Sequence, residues 1–274
     1  VMWSFWKGAV SGEDPLRQRV VWALSQIFVI SLQDGNVANF RRGVGGYLDM
    51  LGDNAFGNYR QLLQQVSLHP MMGLYLSHLR NQKEDGTRVP DQNYAREVMQ
   101  LLSIGLFELN AEGTLKTDAS GGPIETYDQD DIVGLSRVFT GFSWAGPDKS
   151  NTRFSGGGTQ DPNRDVLPMQ SYPQFHSVLV KNFLGTTIPA QGTPDPEGSL
   201  RVALDTIAAH PNVGPFIGRQ LIQRLVTSNP STAYIGRVSA AFNSGRFTQG
   251  AWTVGTGQRG IDGADAHRQR RVDR

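Results

Sequence analysis

The sequence contains no cysteine, which excludes disulfides, thiolate zinc sites, iron–sulfur clusters and cysteine nucleophiles. It also lacks an excess of either charge, since 26 lysines and arginines face 25 aspartates and glutamates, whereas nucleic-acid-binding proteins normally carry a basic excess. Long hydrophobic runs are missing as well: the longest, over residues 20–32, is interrupted by Ser25, Gln26 and Ser31, and a membrane-spanning helix needs about 20 apolar residues. We therefore expect no nucleic-acid partner and no membrane span.

The signatures of several familiar chemistries are absent too. The sequence has no G-x-S-x-G nucleophile elbow, no P-loop and no H-E-x-x-H zinc motif. The glycine clusters at residues 43–46 and 156–158 lack the strand–turn–helix context that a phosphate cradle requires. The sequence therefore predicts no cofactor and no metal site.

What the sequence does contain is apolar residues at helical spacing. Stripes with steps of three and four residues occur over residues 11–32, 56–66, 72–79, 94–105, 132–139, 200–207, 213–221 and 234–241. Strict alternation, which is typical of strands, is never sustained; the β-branched runs near residues 20–30 leave a strand there as the minor alternative. We predict a mainly α, single multi-helix domain over residues 1–258, with about seven to nine helices.

Two segments depart from this pattern. Residues 141–198 hold half of the prolines and a triple glycine, and we predict a long irregular insertion there. Residues 259–274 carry eight charges and only two aliphatic side chains larger than alanine, Ile261 and Val272. Such a segment cannot bury an apolar face, so we predict a disordered or out-of-frame tail.

Two motifs suggest a family. The segment PDQNYAREVMQLLSIGLFELN, over residues 90–110, and the segment ETYDQDDIVGLSRVFTGFSW, over residues 125–144, together resemble an exported bacterial family known as domain of unknown function 1800. Shorter matches are LRQRVVWALSQIFVIS, HPMMGLYLS and FHSVLVKNFLG. The resemblance implies an all-α, usually secreted protein, periplasmic or extracellular in its full-length form. It also implies that this chain, which begins at Val1, is a fragment of a longer member and lacks the export signal.

The first candidate site residues are two acidic residues, Glu97 and Asp131. Glu97 flanks the apolar stripe of its helix, so it must be paired or held protonated. We expect either an ion pair with Arg17, Arg19 or Arg137, or a general acid with a raised pKa. Asp131 follows Asp128 at a helix start, where capping is the simpler interpretation and a second catalytic carboxylate the alternative.

Further candidates lie near these two carboxylates and in the irregular insertion. His176 is predicted as a base or ligand, with loop anchoring as the alternative. Asn93 and Arg96, which share the N-x-A-R-E motif with Glu97, are predicted binding residues, together with Lys181. Trp144 is predicted as part of a sugar-stacking surface with Trp3, Trp6 and Trp252, or else as core.

Two functions follow. The first is a hydrolase for glycosides or envelope polysaccharide, with Glu97, Asp131 and His176 as catalytic residues in a cleft roofed by residues 141–198. The second is a non-catalytic module that binds an envelope protein or a glycan, because no complete catalytic constellation is recognisable. A polysaccharide, a small glycoside and an envelope protein are therefore the expected partners.

Overall fold

The computed structural model describes residues 2–255, so the predicted tail over residues 259–274 lies outside the described residues. The described part is mainly helical. Its helices are α1 (Met2–Ser11), α2 (Pro15–Ser25), α3 (Gly35–Ala38), α4 (Arg41–Asp53), α5 (Tyr59–Leu68), α6 (Pro70–Tyr75), α7 (Asn93–Gln100), α8 (Gln129–Val138), α9 (Asn151–Phe154), α10 (Pro196–Ala209), α11 (Val213–Leu225) and α12 (Thr232–Ser244). The eight predicted stripes all fall on helices, and α1, α3, α4 and α9 are additional.

Strands are few and short. They are β1 (Phe142–Ser143), β2 (Gln170–Ser171), β3 (Lys181–Phe183), β4 (Thr186–Ile188), β5 (Phe247–Gln249) and β6 (Trp252–Val254). Consecutive strands pair antiparallel as three separate two-stranded ribbons, with Phe142 opposite Ser171 in the first. Most of these strands lie within residues 141–198, so the predicted irregular insertion contains β1 to β4 and α9 rather than one unstructured loop.

Capping residues explain where several helices begin. The Asp14 side chain accepts a hydrogen bond from the N–H of Arg17, and Pro15 occupies the first position of α2. Asp195 and Pro196 repeat this arrangement at α10. An aspartate followed by proline therefore marks the start of both helices.

The helices share one cluster of buried apolar side chains, which extends from Val20 in α2 to Phe242 in α12. The closest approach within it involves α8 and β3. A Cβ atom at Gly134 would overlap the Asn182 carbonyl oxygen and would lie 2.6 Å from its carbonyl carbon. Only glycine lets the helix lie this close to the strand, so the irregular segment is fixed directly against the helical core.

No helix within residues 2–255 combines the length and the apolar character needed to cross a bilayer.

Candidate functional site

The N-x-A-R-E motif forms the first turns of α7. The backbone N–H of Asn93 donates to Asp91 Oδ1 (2.8 Å), and its side-chain amide lies 3.4 Å from Ser77 Oγ. Arg96 is half-buried and is electrostatically coupled to the Glu97 carboxylate. The motif therefore places its polar residues beside the loop that joins α6 to α7, over residues 76–92.

Glu97 is half-buried, and its Oε2 atom is enclosed without a hydrogen-bond partner among the described residues. Burial raises the pKa of Glu97, and the nearby Arg96 only partly opposes this. The predicted ion pair with another helix is wrong. Arg17 pairs with Asp14 (3.0 Å) and Arg137 pairs with Glu84 (2.7 Å); Arg19 likewise forms no ion pair with Glu97.

Tyr127 is the nearest titratable group on the facing segment. Its pKa is raised, first by burial, and its interaction with Glu97 raises it further. The hydroxyl donates to Gln100 Oε1 at 3.0 Å. Glu97 and Tyr127 thus form a small cluster of two partly buried, interacting groups between α7 and the start of α8.

Asp131 has a structural role instead. Its Oδ2 accepts from the backbone N–H of Asp128 (2.9 Å), while Asp128 caps α8 in return, which completes a capping box. Its Oδ1 accepts from the N–H of Leu184 at 2.6 Å. Leu184 has a left-handed backbone (φ 48°) in the turn between β3 and β4, so Asp131 fastens this turn to the helix. Both carboxylate oxygens are occupied, as the capping interpretation expected.

His176 and Lys181 belong to a buried polar network between α8, β3 and α10. The network comprises Glu84, Arg137, Thr140, His176, Ser177, Lys181, Gln191 and Ser199. His176 Nδ1 donates to the Thr140 carbonyl (2.8 Å), and its Nε2 lies 3.1 Å from Ser199 Oγ. Burial lowers the pKa of His176 to about 4, so the ring is neutral at pH 7.

Lys181 has no exposed surface either. Its Nζ donates to the Leu179 carbonyl and to Gln191 Oε1, each at 3.3 Å, and burial lowers its pKa to about 8. Neither Lys181 nor His176 can contact a ligand from the surface in this conformation. Both are enclosed in the protein, which agrees with loop anchoring and not with the predicted catalytic and binding roles.

Trp144 is buried as well. It packs against Phe40 with ring centroids 5.4 Å apart, and the Arg164 guanidinium lies 4.6 Å from its ring centre. It therefore offers no face to a sugar, whereas Trp3, Trp6 and Trp252 are exposed. The hydrogen bonds and ion pairs of Glu97, Asp131 and His176 do not join any two of the three in the part of the chain that the structure describes.

An open, shallow pocket of about 500 Å³ lies in the α6–α7 loop, next to Asn93. It is lined by Ser77, Arg80, Asn81, Gln82, Arg88, Val89, Pro90, Asp91 and Gln92. We call it the arginine pocket. Two of its residues, Ser77 (φ 62°) and Arg80 (φ 70°), have a left-handed backbone although neither is glycine. Such strain costs about 1–3 kcal/mol and concentrates at functional sites.

The charge in the arginine pocket is predominantly positive. Arg80 and Arg88 are exposed, and Arg80 contacts no carboxylate among the described residues. Arg88 lies 3.6 Å from the exposed Asp85. The one acid in the lining, Asp91, accepts from Ser77 Oγ (3.1 Å) and from the Asn93 N–H. This pocket was not predicted from the sequence, because the family motifs only touch its ends and neither arginine lies in a motif.

Within residues 2–255, no group of three histidine, aspartate or glutamate side chains is arranged to hold a metal ion.

Comparison with known proteins gives one finding. The sequence model of the family described as "Protein of unknown function (DUF1800)" matches residues 1–251. The chain belongs to this family. No curated protein and no solved structure matches it. The motifs that carry the DUF1800 resemblance are thus placed on α7, α8 and the segment around His176, but membership assigns none of them a chemical role.

Proposed function

We propose that the protein is a non-catalytic binding module whose arginine pocket holds an oligosaccharide bearing acid groups. The observation that carries this proposal is the pair of exposed guanidinium groups, Arg80 and Arg88, in a pocket whose single carboxylate is already hydrogen-bonded. Guanidinium groups bind carboxylates and sulfates through charge-assisted hydrogen bonds. The side-chain amides of Gln82 and Gln92 in the same lining suit sugar hydroxyls.

The size and shape of the site support the same ligand class. A volume of about 500 Å³ is in the range of ligand pockets, and an open shape admits one unit of a longer chain. An exported location, which the family resemblance implies, would bring the protein to envelope polysaccharide and is part of this proposal. An envelope protein with an acidic surface segment would be a different partner for the same arginines.

The test is titration calorimetry with three probes: hexagalacturonate, a sulfated carrageenan tetrasaccharide and neutral maltohexaose. We expect at least one acidic probe to bind, more weakly at 300 mM than at 50 mM NaCl, because salt screens exposed charges. The double variant Arg80→Ala, Arg88→Ala should weaken binding more than about tenfold, since each charge-assisted bond contributes about 1.5–3 kcal/mol. Arg201→Ala, an exposed arginine on α10, is the matched control.

Affinity for either acidic probe that survives the double variant would contradict the arginine pocket as the site. Equal affinity for maltohexaose that the double variant also weakens would contradict the acid requirement. Binding of neither acidic probe would overturn the proposal and leave an acidic peptide as the next ligand to titrate.

Glycoside hydrolysis is the second candidate, and Glu97 is the observation in its favour. A carboxyl group with a raised pKa and an enclosed, unpartnered oxygen has the properties of a general acid. A second carboxylate is required as base or nucleophile, and Asp131 is occupied by the Asp128 and Leu184 N–H groups. Release of reducing ends from hexagalacturonate that Glu97→Gln abolishes would favour the hydrolase; binding without release favours the module.

A further inference from the structure

A second pocket lies away from the α6–α7 loop, between α1, α2 and α4. It measures about 300 Å³ and is lined by Phe5, Trp22, Ser25, Gln26, Ile30, Ser31, Leu32, Val44, Tyr47 and Leu48. We call it the aromatic pocket. No charged residue contributes to its lining, in contrast to the arginine pocket.

Aromatic rings form part of its lining. Trp22 lines the pocket and is 39% exposed, and the ring of the neighbouring Trp6, which is 44% exposed, lies 4.9 Å from it between centroids. Phe5 also lines the pocket, 6.1 Å from Trp22. Apolar surface exposed beside a concave site, such as these tryptophan rings, is typical of a binding site. The faces of the rings carry the negative side of the ring quadrupole.

Neutral polar groups form the other side. Ser25 Oγ donates to the Trp22 carbonyl (2.8 Å), which leaves its lone pairs as acceptors. The Gln26 Nε2 donates a long hydrogen bond to the same carbonyl, at 3.4 Å. Ser31 Oγ accepts from the Gln33 N–H (3.1 Å), which leaves the Ser31 O–H free to donate. The pocket therefore offers both hydrogen-bond donors and acceptors, but no charge.

We propose that the aromatic pocket binds a neutral sugar ring of an oligosaccharide. The C–H face of a pyranose is apolar and slightly positive, which suits the face of Trp22, while its hydroxyls reach Gln26 and Ser31. A charged ligand would lose its hydration without gaining a counter-charge. A plain alkyl chain would leave the amide of Gln26 and the hydroxyl of Ser31 without partners. This inference does not depend on the arginine pocket.

The experiment is a titration of tryptophan fluorescence and of heat with maltohexaose, cellohexaose and xylohexaose. We expect one of these probes to bind and to change the emission. Trp22→Ala should weaken it about tenfold or more, and Trp22→Phe should restore part of the affinity, because phenylalanine keeps an aromatic face for the sugar. Phe247→Ala, which removes a 41% exposed aromatic side chain in β5, is the matched control and should bind as the wild type does.

Gln26→Ala keeps the proposal testable if Trp22→Ala fails to fold, since Gln26 is exposed at the end of α2. Loss of affinity in this variant supports the proposal. No binding of any of the three probes overturns it, as does equal affinity in wild type, Gln26→Ala and Trp22→Ala. Displacement of the sugar by lower concentrations of octanoate also overturns it in favour of an acyl chain. Arg80→Ala, Arg88→Ala should leave binding unchanged, so failure here does not decide the proposed function.

Discussion

Three buried histidines predict that the protein loses stability in mild acid. His69, His78 and His176 are at most 4% exposed, and burial lowers the pKa of each from 6.5 to about 4. The unfolded chain binds a proton at each of these rings near pH 6.5, whereas the folded protein does not until about pH 4. Unfolding therefore takes up protons between these limits, and the free energy of unfolding falls as the pH falls.

The magnitude follows from the two pKa values. At pH 5 the unfolded state has taken up a proton at each ring and the folded state has not. This difference lowers the free energy of unfolding by about 2 kcal/mol for each histidine, or about 6 kcal/mol for the three. This is comparable with the whole stability of a typical domain, about 5–15 kcal/mol. The contacts agree with neutral rings. His78 Nε2 donates to the Ser67 carbonyl (2.8 Å), and its Nδ1 is buried without a partner, so a second ring proton would have no acceptor among the described residues.

The assay is urea unfolding followed by circular dichroism at half-unit steps from pH 8 to pH 5. Glu97 and Asp49, whose pKa values burial raises, contribute with the opposite sign, so the slope is compared between wild type and variants. His176→Asn preserves a donor and an acceptor and should remove about one proton from the slope below pH 6.5. An equal free energy of unfolding at pH 7 and pH 5, or a His176 ring that titrates near pH 6.5 by NMR, would refute the reasoning.

Three further predictions concern stability and are measured by urea or thermal unfolding. Gly134→Ala should destabilise the protein by about 3 kcal/mol, because the added Cβ would overlap the backbone of Asn182. Gly45→Ala is the control: no atom lies within 4 Å of its added Cβ, so it should stabilise the protein by about 0.5–1 kcal/mol. Equal effects of the two variants would contradict the packing argument. Asp131→Asn should cost about 1–2 kcal/mol through the capping box, and an unchanged Tm would argue against it. Glu97→Gln should raise Tm at pH 7 but not at pH 4, where the carboxyl is protonated in both states; a lowered Tm at pH 7 would mean that Glu97 has a stabilising partner.

The helices that carry a regular stripe of apolar residues were predicted from the sequence. Helices that pack without such a stripe were not predicted. Helix α4 was not predicted, and it contains Gly43, Gly45 and Gly46. The structure explains two of them, since a Cβ at Gly43 would lie 2.7 Å from Met71 Sδ and a Cβ at Gly46 would lie 2.7 Å from Val166 Cγ1. These glycines admit neighbours that are distant in the sequence. Helices α3 and α9 have four residues each, too few to show a period.

Of the two pockets that we propose as binding sites, the sequence pointed only to the neighbourhood of the first. The sequence drew attention to the N-x-A-R-E motif, and Asn93 does border the arginine pocket through its contact with Ser77. The pocket itself depends on the left-handed backbone at Ser77 and Arg80. Serine and arginine do not favour that conformation, so the sequence does not predict it. The aromatic pocket combines residues from three helices and one connecting segment, and only tertiary packing brings them together.

The place of the irregular segment bears on one feature of the predicted hydrolase, the roof over its cleft. A roof over a catalytic cleft would have to present His176 and Lys181 to solvent, and both have no exposed surface. Their hydrogen bonds, and the packing of β3 against Gly134, fix His176, Lys181 and Phe183 in the interior of the protein. A core segment of this kind cannot open without breaking the buried polar network. The exposed, charged or aromatic surfaces of the α6–α7 loop and of α1 and α2 remain open to ligands, and it is there that we propose binding.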